Sequence, residues 1–185
     1  MLIYRGCLEE VRKTELSGIS EERFEQVIRT FLINWGKMGR VLPQGTGWEG
    51  KLTKSIRKNC PMFESMRTLN LRNTELPGVE DDIKQCYKTL RGDVGPTGVA
   101  KTLHLISPNF FPLWDTGIRK KVSKETSLKK RPIGDTAAGY YKFMAEIKEF
   151  LGRYGETLSR LSEECGWTEL KIIDEYLLRI SRASH

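Results

Sequence analysis

Apolar residues recur along this chain at spacings of three and four, which is the period of an amphipathic α-helix. After Ser20 the apolar positions are Phe24, Val27, Ile28, Phe31 and Leu32, and similar stripes occur within residues 79–90, 140–151 and 170–180. No segment sustains the period-two alternation that is typical of a half-buried strand. We therefore predict an all-α protein of roughly eight short helices.

Helix boundaries follow from capping residues, prolines and glycines. The predicted helices span residues 20–35, 51–59, 61–71, 79–90, 99–106, 116–123, 136–154 and 169–180. The segment PQGTGWEG, residues 43–50, is predicted to be a loop. The 185 residues suit a single all-α domain, 1–185, built either as one body or as two lobes around a cleft.

Composition narrows the class of protein. Hydrophobic residues make up 38% and charged residues 30% of the chain, and no apolar run approaches the length of about eighteen residues that a membrane helix needs. The N-terminal MLIYRGCLEEVRK has too short an apolar stretch for a signal peptide. We expect a cytoplasmic protein without membrane association, located at the nucleoid if it binds DNA.

Cysteine and histidine usage argues against a metal centre. Only two histidines occur, one of them at the C-terminus, and the cysteines show no closely spaced pair. We expect buried, reduced thiols, and neither a metal nor another cofactor. The cysteines are Cys7, Cys60, Cys86 and Cys165.

Positive charge is concentrated in one stretch. The net charge is +7 with a pI near 9.3, and residues 118–131, IRKKVSKETSLKKR, contain a single acid. Such a block either contacts a phosphate-rich partner such as duplex DNA or is a solvated, mobile loop. The candidate contacts to the DNA backbone are Arg119, Lys120, Lys121, Lys129, Lys130 and Arg131.

A glycine-rich segment, RGDVGPTG at residues 91–98, separates two predicted helices. Glycine permits positive φ and a close approach by another backbone, and amide N–H groups at the head of the next helix can bind a phosphate. The candidate phosphate contacts are Gly92, Gly95, Thr97 and Gly98. The alternative is an ordinary αα-hairpin in which the glycines serve tight packing.

The continuation of this segment carries a family resemblance. The glycine turn is followed by the small Ala100, the proline corner SPNFFP, and Asp115 at the start of a predicted helix. This order, over about thirty residues within a central part at about 78–125, resembles the helix-hairpin-helix DNA glycosylases of base-excision repair. The resemblance implies a two-lobed helical fold, a hairpin that clamps a DNA phosphate, and an essential aspartate that faces the sugar of a flipped nucleotide.

The sequence also departs from that family. The turn is longer, and Thr97 stands where members that cleave the DNA backbone carry a lysine. The nearest lysine is Lys101, whose use as a Schiff-base nucleophile requires that it point into the pocket with a pKa lowered by burial. Asp115 either stabilises positive charge on the sugar, or caps a helix by accepting from the N–H of Gly117 or Ile118, or does both.

Three further residues are candidates for a pocket. His104 shares a helix face with Lys101 and is either a pocket residue or a hydrogen-bonded histidine between helices. Trp35 and Trp48 bracket a basic segment and either stack on a base or pack in the core. The resulting hypothesis is hydrolysis of the N-glycosidic bond of a damaged or mismatched base. The alternative is a non-catalytic helical module that binds nucleic acid or protein.

Overall fold

A computed structural model describes residues 2–13, 15–42, 47–119 and 134–182, without the side chains of 181 and 182. This part of the chain contains no strand, so the all-α prediction is confirmed. Its α-helices are α1 Leu2–Arg12, α2 Glu21–Arg29, α3 Trp48–Lys58, α4 Cys60–Arg67, α5 Glu80–Ile106, α6 Ala137–Cys165 and α7 Glu169–Arg182. A π-helix at Thr30–Trp35 continues α2, a 3₁₀ turn at Leu76–Val79 precedes α5, and residues 116–119 are also helical.

The helix α2 begins as the sequence predicts. Ser20 is its N-cap and accepts a hydrogen bond from the backbone N–H of Arg23, while Glu21 and Glu22 lie in the first turn, where the helix dipole favours acids. Its apolar face is buried. The predicted continuation to Trp35 is helical but adopts π geometry.

The eight-residue turn predicted for 91–98 is wrong. Residues 80–94 and 96–106 are helical, and the two segments of α5 meet at Gly95, whose φ of 68° and ψ of 174° break the helix. Pro96 begins the second segment, and proline disfavours helical geometry in the residue before it. Only glycine adopts this φ/ψ region at low cost. We call Gly95 the hinge.

Two helices are much longer than the predicted short ones. The helix α5 has 27 residues and α6 has 29, although α6 was expected to end at Tyr154. Tyr154 departs from helical geometry at a kink, and the helix then resumes and ends before Gly166 at φ 65°. Gly155 lies against the guanidinium of Arg72, whose Nη2 donates to the Gly155 carbonyl at 3.0 Å. This contact favours continuation past a glycine.

One hydrophobic cluster reaches from α1 to α7, and α5 packs against α6, α3, α1 and α4 within it. Among the thiols, Cys7 and Cys86 are buried, Cys60 is half-buried, and Cys165 is exposed, so the expectation of buried thiols is wrong for Cys165. Across the described residues, no helix combines the length and apolar character needed to span a bilayer.

Candidate functional site

A cleft of about 380 Å³ lies beside the hinge. The cleft is also lined by the turn after the π-helix, residues 36–42, which we call the rim turn. Thr97, Lys101 and Asp115 line the cleft together with Gly95. The structure thus places the hinge, an amine and a carboxylate around one open space.

Asp115 reaches the cleft because the chain before it is anchored in the core. Trp114 is buried, and its indole Nε1 donates a hydrogen bond to the carbonyl oxygen of Pro96 at 3.2 Å. The half-buried Asp115 precedes the helical residues 116–119, and its Oδ1 accepts from the Ile118 N–H at 2.8 Å. This confirms the predicted helix cap. Among the described residues, none donates a hydrogen bond to the other carboxylate oxygen.

Lys101 lies on the second segment of α5 and has a structural partner. Its Nζ donates a hydrogen bond to the carbonyl oxygen of Gly36 at 2.5 Å, at the C-terminal end of the π-helix. Burial lowers the pKa of Lys101, and the nearby carboxylates of Asp174 and Asp115 oppose this while the Lys171 cation adds to it. A lysine with a lowered pKa has more neutral amine at a given pH, which is the form that acts as a nucleophile.

A layer of buried polar groups lies next to the cleft. Lys171 on α7 is almost fully buried, and its Nζ donates to Asp174 at 2.6 Å and to Glu175 at 2.7 Å. The same Nζ lies 4.9 Å from the ring centroid of Trp35 and 5.7 Å from that of Tyr4. The Nζ of Lys101 lies 5.7 Å from the Trp35 ring, so this indole contacts a lysine of the layer and a lysine of the cleft.

His104 belongs to this layer and not to the cleft. It is fully buried, its Nδ1 lies 2.8 Å from the carbonyl oxygen of Phe111, and its Nε2 lies 2.7 Å from the hydroxyl of Tyr4. Because a carbonyl only accepts, Nδ1 carries the proton and Nε2 accepts from Tyr4. Burial lowers the pKa of His104 to about 3, against the opposing effect of the Phe111 hydrogen bond. We call Tyr4, His104, Lys171 and Asp174 the buried polar layer.

The three predicted hairpin glycines have different surroundings. Gly92 is exposed within the first segment of α5, and only Gly95 has a positive φ. Gly98 is buried, and a Cβ placed on it would lie 2.7 Å from the Cβ of Val94 and 3.3 Å from the Cε of Met38. Gly98 therefore serves close packing between the hinge and the rim turn.

The basic candidates are only partly described. The Arg119 guanidinium forms an ion pair with Asp135 and lies 5.7 Å from the Trp114 ring centroid, so it already has protein partners. Lying outside the described residues are Lys120, Lys121, Lys129, Lys130 and Arg131.

Neither candidate tryptophan lines the cleft. Trp35 is half-buried among Tyr4, Phe31 and the two lysines, and Trp48 is buried at the first residue of α3. Both positions agree with the packing alternative. The predicted loop at 43–50 is replaced at residues 48–50 by the first turn of α3, and residues 43–46 lie outside the described part.

Sequence reasoning considered Lys37 only as a basic neighbour of a tryptophan that could stack on a base, and it missed Lys171 and Asp174. Lys37 follows the π-helix within GKMG, a position at which a left-handed C-terminal residue is common. Lys171 and Asp174 are three residues apart on a helix, and that spacing is ordinary for a solvated ion pair. Their burial depends on the packing of α7 against the rest of the fold, which no local pattern indicates.

A larger groove of about 720 Å³ lies between α1, α4 and residues 105–109, and it contains none of the predicted site residues. The chemistry predicted from the sequence thus falls on the smaller cleft. Comparisons with protein-family models, curated proteins and solved structures found no match.

Proposed function

We propose that this protein binds duplex DNA and hydrolyses the N-glycosidic bond of a damaged or mismatched base that is flipped into the cleft. The observation that carries the proposal is the shared cleft of Asp115 and the hinge. Helix-hairpin-helix DNA glycosylases, which this sequence resembles, combine a backbone-binding hairpin with a carboxylate. Here the break at Gly95 replaces the hairpin, and its position in the same cleft as Asp115 supports the proposal.

The chemistry assigned to Asp115 needs no cofactor. Breaking an N-glycosidic bond develops positive charge on the sugar, and a fixed carboxylate stabilises that charge. The cap to Ile118 fixes Oδ1 at 2.8 Å from its donor, which orients the carboxylate before any substrate binds. The other oxygen is the one assigned to the sugar or to an attacking water.

The hinge is assigned to the DNA backbone. A phosphate contact of this kind is independent of sequence and fixes the register of the duplex. Apart from Gly95, its chain neighbours and the adjoining helix backbone, no described residue has a heavy atom within 4 Å of the position that a Cβ on Gly95 would take, so a phosphate can approach the backbone there. The basic stretch that begins at Arg119 is assigned to adjacent phosphates.

A specific observation favours the alternative, a non-catalytic helical module. The two polar groups assigned to catalysis each have a structural partner, because Asp115 caps the Ile118 N–H and Lys101 donates to the Gly36 carbonyl. Under this alternative both residues stabilise helix ends, and the cleft binds DNA or a protein without cleaving a bond.

Base release by the wild type and by Asp115→Asn separates the two functions. Asparagine caps a helix as well as aspartate does, so the variant keeps the fold and loses only the charge. We expect abasic sites, revealed by alkali, in one member of a panel of damaged or mismatched duplexes, and release slower by about 100- to 1000-fold in the variant. The matched control is Asp81→Asn, an exposed acid in the first turn of α5.

Equal release by Asp115→Asn and the wild type overturns the role of Asp115. No release from any duplex, with binding retained at low salt, favours the non-catalytic module. Strand cleavage without alkali, trapped by borohydride and lost in Lys101→Gln, assigns Lys101 as a Schiff-base nucleophile. A protein that binds no duplex even at low salt contradicts both DNA-binding functions.

A further inference from the structure

The rim turn contains a lysine in a backbone conformation that favours glycine. The π-helix ends at Trp35, Gly36 follows, and Lys37 has φ 55°. The Met38 N–H then donates to the Leu32 carbonyl at 3.0 Å, a seven-to-one hydrogen bond that closes the π-helix as a Schellman motif closes an α-helix, with one residue more. The left-handed residue of that motif is usually glycine, because a Cβ is disfavoured there.

Packing does not explain the choice of lysine. The side chain of Lys37 is exposed, and no described residue forms a hydrogen bond or ion pair with its ammonium group. The neighbouring Gly36 does need to be glycine, since a Cβ there would lie 2.6 Å from the Leu32 carbonyl oxygen. The Gly36 carbonyl, at the end of the π-helix, already accepts a hydrogen bond from Lys101.

The position of Lys37 does offer an explanation. It lines the same cleft as Gly95 and Asp115, and Arg40 in the same turn is also exposed. Non-glycine residues held in left-handed conformations concentrate at functional sites, where the surrounding structure maintains them. A cation at the position of Lys37 can bind one phosphate of a DNA backbone whose other phosphate contact is the hinge.

We propose that Lys37 is a DNA-backbone contact on the rim turn, presented to the cleft by its left-handed backbone. This inference rests on the proposed function, because it takes the ligand of the cleft to be DNA. It assigns two different phosphates to the cleft, one at the hinge and one at Lys37. It also predicts that stability and DNA affinity respond in opposite directions to one substitution.

The test measures both properties in Lys37→Gly and Lys37→Asn. Glycine relieves the backbone strain, so we expect Tm to rise by about 2–4 °C while the affinity for a fluorescein-labelled duplex falls several-fold. The slope of log affinity against log salt should become shallower by about 0.9, which corresponds to one lost phosphate contact. Asparagine tolerates the left-handed conformation, so Lys37→Asn should lose the same affinity with little change in Tm.

The matched control is Lys13→Gln, which removes one exposed lysine on the larger groove and lowers the net charge equally. We expect its affinity to stay close to that of the wild type. If both Lys37 variants bind the duplex as Lys13→Gln does, the inference is wrong and the proposed function stands. If the wild type does not bind the duplex at low salt, both are wrong.

Discussion

The cleft and the buried polar layer are neighbours with opposite characters. In the layer, His104 and Lys171 are almost completely buried, and each makes two polar contacts within the protein. In the cleft, Lys101 and Asp115 are half-buried and have one structural hydrogen bond each, while Lys37 is exposed. The layer is satisfied by the fold alone, whereas the cleft leaves polar groups available to a ligand.

Because of this difference, we expect substitutions in the buried polar layer to affect stability and substitutions in the cleft to affect function. Buried polar groups that lose a partner destabilise a protein strongly, because the remaining group stays desolvated. Half-exposed groups that lose a partner are solvated by water. Substitutions in the layer should therefore change the free energy of unfolding, and side-chain substitutions in the cleft should change binding or activity with little change in stability.

The largest effect is expected for Lys171→Ala. The substitution leaves the carboxylate of Asp174 desolvated and without its cation, so the free energy of unfolding should fall by about 3–5 kcal/mol. Unfolding in urea, followed by circular dichroism, measures the loss. The double substitution Lys171→Met with Asp174→Leu removes both charges and should recover most of it. A loss below that of an ordinary exposed ion pair would mean that the layer is not desolvated, and the comparison would fail.

The second-largest effect is a loss of stability at acidic pH. Burial lowers the pKa of His104 to about 3, whereas in the unfolded chain a histidine takes up its proton near pH 6.5. The unfolded state therefore binds more protons than the folded state between these values, so stability is lost as the pH falls through that window. This one group should lower the free energy of unfolding by about 3 kcal/mol between pH 6.5 and about pH 4.

His104→Gln isolates this contribution. Glutamine can donate to the Phe111 carbonyl and accept from Tyr4, yet it does not titrate. The stability difference between wild type and variant should therefore shrink as the pH is lowered, and contributions from the carboxylates cancel in the difference. Parallel pH profiles would mean that folding does not lower the pKa of His104.

His104 and Lys101 also show what the sequence can and cannot predict. Both residues lie on the helix predicted for 99–106, which the structure contains as part of α5, and apolar periodicity correctly predicts helices around Phe24 and Phe143. Hydrophobic periodicity predicts which face of a helix points inward, but not how deeply a residue on that face is buried. Depth depends on which helix packs above the face, and for His104 the partner, Tyr4, is one hundred residues away in α1.

The errors in helix boundaries have the same origin. The sequence predicts a turn around Gly92, because glycine weakens a helix by about 1 kcal/mol, and a helix end at Tyr154, just before Gly155. In the structure both glycines are helical, and Gly155 is held by Arg72 from a distant part of the chain. Helix α1 was not predicted, although Tyr4, Cys7 and Val11 are buried at helical spacing. The location of Asp115 at a helix start was predictable because capping is a local property.

The third-largest effect is expected at the hinge, where Gly95→Ala is compared with the same substitution at Gly92. Gly95→Ala places a Cβ on a residue with φ 68° and ψ 174°, a region that is almost exclusive to glycine. We expect the free energy of unfolding to fall by about 1–3 kcal/mol. The matched control is Gly92→Ala, which is helical and exposed and should stabilise the protein by up to about 1 kcal/mol. Equal effects at the two positions would contradict the assignment of the break to Gly95.

The smallest effect is expected for Lys101→Met, and it should depend on pH. The folded-state pKa of Lys101 is lowered by burial, so between that pKa and the ordinary value near 10.5 the unfolded state binds more protons. The contribution of Lys101 to stability therefore rises as the pH rises through this window.

At a pH below this window, the variant should differ from the wild type by about 1 kcal/mol or less, because the lost hydrogen bond and the relieved burial of charge offset each other. Urea unfolding of both proteins from pH 7 to about pH 10 measures the difference in stability. Burial raises the pKa values of Cys86 and Tyr87 to about 12, so these groups titrate with the opposite effect on stability, but they do so in both proteins and cancel in the difference. A stability difference that stays constant with pH would show that the Lys101 amine is as solvated as an ordinary surface lysine. The cleft would then supply no neutral amine, and Asp115 would be left as its single candidate for chemistry.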